Sequence, residues 1–164
     1  FMKKTILTVL IILLLTGCTF IEKDNLVDTD PQINSDKLTP QKRLDISNHK
    51  LTKLPNYVLQ ETALEELNIS NNQIAGALPA EIKNLKNLKI LNMSNNLMTD
   101  IPAEIGQLQN LVSLNLANNL FTGLPLELGN LKNLQTLIIS GNNYSEKDLN
   151  IIKNQLPSTV HIQK

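Results

Sequence analysis

From residue 41 to residue 144 the apolar positions recur in one fixed order. Leu64, Leu67, Ile69 and Ile74 are followed by Leu88, Leu91, Met93 and Met98, then by Leu111, Leu114, Leu116 and Phe121, then by Leu134, Leu137, Ile139 and Tyr144. An asparagine holds one place in each unit: Asn72, Asn96, Asn119 and Asn142. The units open at Gln41, Leu64, Leu88, Leu111 and Leu134, in steps of 23, 24, 23 and 23 residues. Apolar residues two apart, such as Leu67 and Ile69, lie on one face of a short strand and point inward. A unit this short buries its leucines only against its neighbours, so the strands are expected to stack in parallel.

Each asparagine falls where the chain must turn out of the strand. Its amide carries both a donor and an acceptor, which predicts a ladder satisfying turn backbone groups in its own coil and in adjacent ones. The return path is equally regular. Leu78-Pro79, Ile101-Pro102 and Leu124-Pro125 open segments that continue with Ile82 and Leu85, Ile105 and Leu108, and Leu128 and Leu131. Proline suits the first turn of a short helix because its missing N–H has no partner there. Glu81, Glu104 and Glu127 fall two residues later, near the helix's positive end, and their repeated place reads as helix capping rather than acid chemistry.

Written as LxxLxLxxNxL, the order in 64–74 is met at every defined place, and five registered copies across 41–144 resemble the leucine-rich repeat family. The resemblance implies an α/β fold: a right-handed solenoid with parallel strands on a concave face and short helical or 3-10 segments on the convex face. Residues 145–164 read as a C-terminal helix-strand cap. Ser145 is the expected N-cap with Asp148 three residues on, Leu149, Ile152 and Leu156 follow at helical spacing, and Pro157 ends the helix. Val160-His161-Ile162 is expected as a last strand, with His161 facing outward.

Two units depart from the pattern. The first has His49 for the asparagine, Gln41 for the opening leucine and Glu61 where later units have leucine. A terminal repeat faces water on one side, and Lys42, Arg43 and Asp45 charge a strand that would otherwise be a sticky edge. The second unit carries one extra residue in Ile74-Ala75-Gly76-Ala77-Leu78-Pro79, similar to the LxGxIP variant of plant repeats, with Gly76 expected to permit a bulge.

Composition narrows the classes that remain. The chain has 164 residues, 31 of them Leu and 22 Asn, with 15 basic and 15 acidic residues, one cysteine, no tryptophan and 3% aromatic residues. One cysteine excludes an internal disulfide framework, a CxxC redox pair and a multi-cysteine zinc site. Neutral charge with few aromatics speaks against a nucleic-acid surface.

That cysteine ends a distinctive leader. Met2-Lys3-Lys4, an apolar run from Ile6 to Leu15 broken only by Thr8, and Leu15-Thr16-Gly17-Cys18 are the three parts of a secretory signal. The run is shorter than the roughly 18–20 residues a spanning helix needs. Leu15-Thr16-Gly17-Cys18 resembles the lipobox of bacterial lipoproteins, which implies that residues 1–17 are a signal peptide and that Cys18 becomes the lipid-bearing N-terminus. Ordinary secretion with an incidental cysteine is the alternative. Loss of Lys3 and Lys4 leaves 13 basic and 15 acidic groups, a net charge of 13 − 15 = −2. Residues 18–40 then form a mildly acidic tether with a root-mean-square reach on the order of 25 Å. Asp28-Thr29-Asp30-Pro31 lacks the glycine and closing glutamate of a calcium loop.

In this family the outward strand residues are a common site for partner binding. One candidate column is Arg43, Glu66, Ile90, Ser113 and Thr136, variable in chemistry, and the next is Asp45, Asn68, Asn92, Asn115 and Ile138. Ser47, Ser70, Ser94, Ala117 and Ser140 form a third outward column of repeat consensus. Leu97 and Leu120 are alternative exposed contacts, with Phe121 read as core. Of the types that dominate interaction hot spots, Trp, Tyr and Arg, these columns offer only Arg43, which implies weak or multivalent binding. No nucleophile elbow or phosphate loop occurs, and Glu65 and Glu66 point to opposite strand faces. No catalytic residue, cofactor or metal is expected, and the chain is read as a monomer bound to a bilayer through acylated Cys18. The expected role is protein binding at the bacterial cell surface, with an envelope scaffold facing the periplasm or cell wall as the alternative. Thr19 after Cys18, in place of an aspartate, favours the outer membrane in a cell that has two membranes.

Overall fold

The computed structural model describes residues 42–164. The leader, Cys18, the tether and Gln41 lie outside the described residues. Six short strands lie parallel in one sheet in the order β1 (Arg43–Asp45), β2 (Glu66–Asn68), β4 (Ile90–Asn92), β6 (Ser113–Asn115), β7 (Thr136–Ile138) and β8 (His161–Gln163). A second, two-stranded sheet pairs β3 (Ala75–Gly76) with β5 (Leu97–Met98). The register follows the repeat: Leu44, Leu67, Leu91, Leu114 and Leu137 pair in succession, and Leu137 pairs with Ile162. The five leucines are buried, and Ile162 packs half-buried against the same core. Leu64, Leu88, Leu111 and Leu134 stack beneath them, fully enclosed by neighbouring coils.

The return segments are 3-10 turns: Asn56–Gln60, Ala80–Asn84, Ala103–Gln107 and Leu126–Asn130. Each is preceded by a proline at its N-cap, and the carbonyls of Pro55, Pro79, Pro102 and Pro125 accept the first backbone bond. The ring fixes φ near the value that entry to the turn needs. Glu81, Glu104 and Glu127 lie in the first turns, at the positive end expected for them, and the prolines at the N-caps carry no side-chain acceptor of their own. The C-terminal helix, Glu146–Gln155, is α-helical and is capped as expected, Ser145 Oγ accepting from the Asp148 N–H at 3.3 Å. Leu149, Ile152 and Leu156 close the last coil. The final strand begins at His161 rather than Val160, because the Val160 N–H is engaged in a turn with the Pro157 carbonyl.

The asparagine ladder is present and doubly connected. Asn96 Nδ2 donates to the Met93 and Ser94 carbonyls of its own coil and to the Ile69 carbonyl of the preceding one, while its Oδ1 accepts from the Ile74 N–H. Asn72, Asn119 and Asn142 repeat this arrangement. At the end of the array, the His49 N–H donates to Asn72 Oδ1 at 3.0 Å, so His49 occupies the place where the ladder stops.

Three features escaped the sequence pattern. The residue before each ladder asparagine takes a left-handed conformation: Asn71, Asn95 and Asn118 at φ 55 to 56, Gly141 at φ 70 and, in the first coil, Asn48 at φ 61. Only Asn, Asp and Gly visit this region readily, and the column holds only Asn and Gly. Beside this turn Ser70, Ser94 and Ala117, expected on the outward face, are buried at 4 to 7% exposure. A second asparagine ladder closes the opposite turn, with Asn87, Asn110 and Asn133 donating to the Thr62, Lys86 and Gln109 carbonyls at 2.8 to 2.9 Å. Gly76, the expected bulge, sits in β3 at φ 74 and its carbonyl accepts from Thr99 N–H.

Asn96→Ala strands the Ile74 N–H in the core, while the Ile69, Met93 and Ser94 carbonyls keep donors in Asn72, Asn119 and the Asn71 N–H. It is expected to lower stability by about 2 kcal/mol. Asn142→Ala, at a half-buried rung, is expected to lose less, as read by urea unfolding of the two variants against wild type.

Candidate functional site

The two outward columns are continuous surfaces. Register places Arg43, Glu66, Ile90, Ser113 and Thr136 side by side, and likewise Asp45, Asn68, Asn92, Asn115 and Ile138. The cap strand extends both columns with His161 and Gln163, which the family pattern alone does not include because β8 lies beyond the last repeat. All ten predicted residues are therefore brought together on one face, whereas Leu97 in β5 and Leu120 on a loop are exposed elsewhere, and Phe121 is core.

At the N-terminal end this face sinks into an open hollow of about 530 Å³ lined by Arg43, Asp45, Glu66, Asn68, Ile90 and Asn92 with the leucines beneath. Its charges are largely tied to one another. Arg43 Nε meets Glu66 at 2.8 Å, and Glu65 bridges Lys42 and Lys89, one carboxylate oxygen to each, at 2.7 Å. The hydrogen bonds from Lys42 and then Lys89 pull the Glu65 carboxyl down to about 2 from an ordinary 4.5. Ile90 contributes an apolar side chain 40% exposed, the one large exposed hydrophobic among the column residues described.

The second column has a structural duty that periodicity concealed. Asp45 Oδ1 accepts from the Ser47 N–H at 2.9 Å, and this bond, ahead of the one from the Ser47 side chain, lowers the Asp45 carboxyl. Asn68, Asn92 and Asn115 repeat the bond, each Oδ1 accepting from the N–H two residues on, at Ser70, Ser94 and Ala117. These are side-chain turns that close each strand. Among the described residues no cluster of His, Cys, Asp or Glu is arranged to hold a metal ion, and no helix is long and apolar enough to cross a membrane.

A stack of coils joined by two asparagine ladders, with one exposed parallel sheet, defines a repeat protein built to present a surface. The chain belongs to the leucine-rich repeat family: the family's profile, described as a leucine-rich repeat region, matches residues 44–157. No curated protein matches the chain. Among solved structures it is similar to a leucine-rich repeat protein of Leptospira interrogans, at 43% identity and TM-score 0.64 over 69% of this chain and 28% of that one. It is also similar to an internalin of Listeria monocytogenes, at 30% identity and TM-score 0.62 over 75% of this chain and 34% of that one. The ectodomain of the Arabidopsis receptor kinase HAESA, in complex with an N-terminally extended form of the IDA peptide hormone, matches at 30% identity and TM-score 0.56, over 67% of this chain and 19% of that one. The chain thus spans about a third or less of the length of these relatives.

The ion pairs generate a pH dependence with a fixed sign. Glu65 is depressed in the folded state, so its contribution is present above the ordinary 4.5 and is lost as pH falls toward about 2. The protection of the Ile46 and Asn48 amides, which bond to the second coil, against hydrogen exchange, taken relative to the unfolded chain at each pH, is expected to fall across that window. In Glu65→Gln the same amides should be less protected at neutral pH, with the loss across that window reduced.

Proposed function

We propose that the chain is a lipid-anchored leucine-rich repeat protein that binds a protein partner through the outward face of its sheet, at the bacterial cell surface. The observation that carries this reading is the gathering of ten side chains into two adjacent columns on one face, the first of them chemically varied, with one end forming a hollow. A sheet serving only as the wall of a core has no use for that variety. Membership of the family supports protein binding, and two of the similar structures are bacterial. The complex of the HAESA ectodomain with a peptide hormone illustrates a related scaffold holding a polypeptide. The anchor rests on Leu15-Thr16-Gly17-Cys18 alone. Several acyl chains on one residue hold a protein stably, since each buried CH₂ contributes about 0.8 kcal/mol.

Pull-down with the full chain and with an Arg43→Ala, Glu66→Ala, Ile90→Ala triple variant tests the face. Loss of the wild-type partners by the variant is expected, and retention of all of them overturns the assignment. Protease treatment of intact cells is expected to degrade the repeats. Their protection would instead favour the scaffold facing the periplasm or cell wall. Metabolic labelling with a fatty-acid analogue should mark wild type and spare Cys18→Ser.

A further inference from the structure

We propose that the middle of the outward face reads backbone carbonyl oxygens of an extended polypeptide segment through the side-chain amides of Asn92 and Asn115. This rests on the outward-face reading and names the chemistry of its partner. The turns fix the orientation of both amides. Asn92 Oδ1 accepts from the Ser94 N–H at 3.1 Å and from Ser94 Oγ at 2.8 Å, and Asn115 Oδ1 accepts from the Ala117 N–H at 3.0 Å. A backbone N–H can only donate, so the oxygen end of each amide is committed to the protein and the NH₂ end is left for a ligand. Asn68 shares the orientation but spends one proton on Asp45 Oδ2 at 3.1 Å.

The middle of the sheet therefore offers donors with no competing acceptor on the same groups. Asn92 and Asn115 are register partners on neighbouring strands, about 4.8 Å apart, a step of one or two residues along an extended chain at about 3.3 Å per residue. Ile90, Ser113, Thr136 and Ile138 around Asn115 are uncharged, and of the charged residues that share the hollow with Asn92, Glu66 is paired with Arg43 and Asp45 is bonded to Ser47 and Asn68. Arg43, at the edge of the hollow, is paired with Glu66. Carbonyl oxygens satisfy such donors without a formal charge. The half-exposed Ile90 and Ile138 flank the donors and offer seats for apolar side chains of the same segment. A sugar ring would call for an aromatic face to cover its own, and the two columns hold no Phe, Tyr or Trp.

The protein supplies its own conservative replacement. Asp45 occupies the same column and makes the same turn with its Oδ1, so Asn92→Asp and Asn115→Asp keep the acceptor and the fold while turning the outward donor into an acceptor. The full chain and the double variant are compared on an array of random heptapeptides and on a glycan array, with Asn150→Asp on the exposed side of the cap helix as control. Wild type and the control are expected to retain a common set of peptides, to which the double variant binds at least tenfold more weakly. In ¹⁵N spectra of wild type, the Asn92 and Asn115 side-chain NH₂ signals are expected to shift on addition of a retained peptide. Unchanged peptide binding by the double variant, retention of glycans alone, or no retained peptide overturns the proposal. Should the double variant fail to fold by circular dichroism, the single variants and the NH₂ signals decide it. A partner lost on the Arg43, Glu66, Ile90 triple variant but kept on the double variant removes the donor row and leaves the outward face in place.

Discussion

The coils are held in register by a hydrogen bond that crosses between them. A three-residue strand has little pairing of its own, and the chain leaves it through a left-handed residue that abandons strand geometry. The backbone groups exposed by that turn lie in the core, away from water, where each requires a partner. A single primary amide supplies them, giving protons to carbonyls of two successive coils and taking one from the earlier coil. The leucine layers pack because the ladder fixes their height. The second ladder, from Asn87, Asn110 and Asn133, holds the far turn of each coil to the one before.

The outward face inherits this order and a constraint with it. Its second column is an outward surface and a turn-forming element at once, since Asp45, Asn68, Asn92 and Asn115 all close their strands through Oδ1. Variation there is confined to groups that keep an acceptor, and Ile138 shows where the demand lapses near the cap. The first column carries no such duty, which accounts for its passage from Arg43 and Glu66 through Ile90 to Ser113 and Thr136. Freedom to vary is thus set by backbone bonding rather than by distance from the core.

The spacing of leucines made the strands, their parallel register and the main ladder legible, because a period of 23 leaves few ways to stack identical coils. It failed where geometry changes within a coil. Strand parity placed Ser70 and Ser94 among the exposed outward residues, whereas they are buried beside the left-handed Asn71 and Asn95. The signal was present in the column Asn48, Asn71, Asn95, Asn118 and Gly141, whose members share tolerance of positive φ and nothing else. Of the candidate site, the membership of the columns was legible. The orientation of their amides was not, since it depends on which backbone N–H each oxygen meets.

The extra residue of the second coil falls between Ile74 and Leu78, on the side away from the six-stranded sheet. Glu66 still pairs with Ile90, and Asn68 with Asn92, as though the coil were of ordinary length. Length change and surface chemistry are therefore written on separate halves of each unit. Such a molecule can alter its girth without shifting the lettering on its face, which lets new surfaces arise by substitution while insertions accumulate behind them.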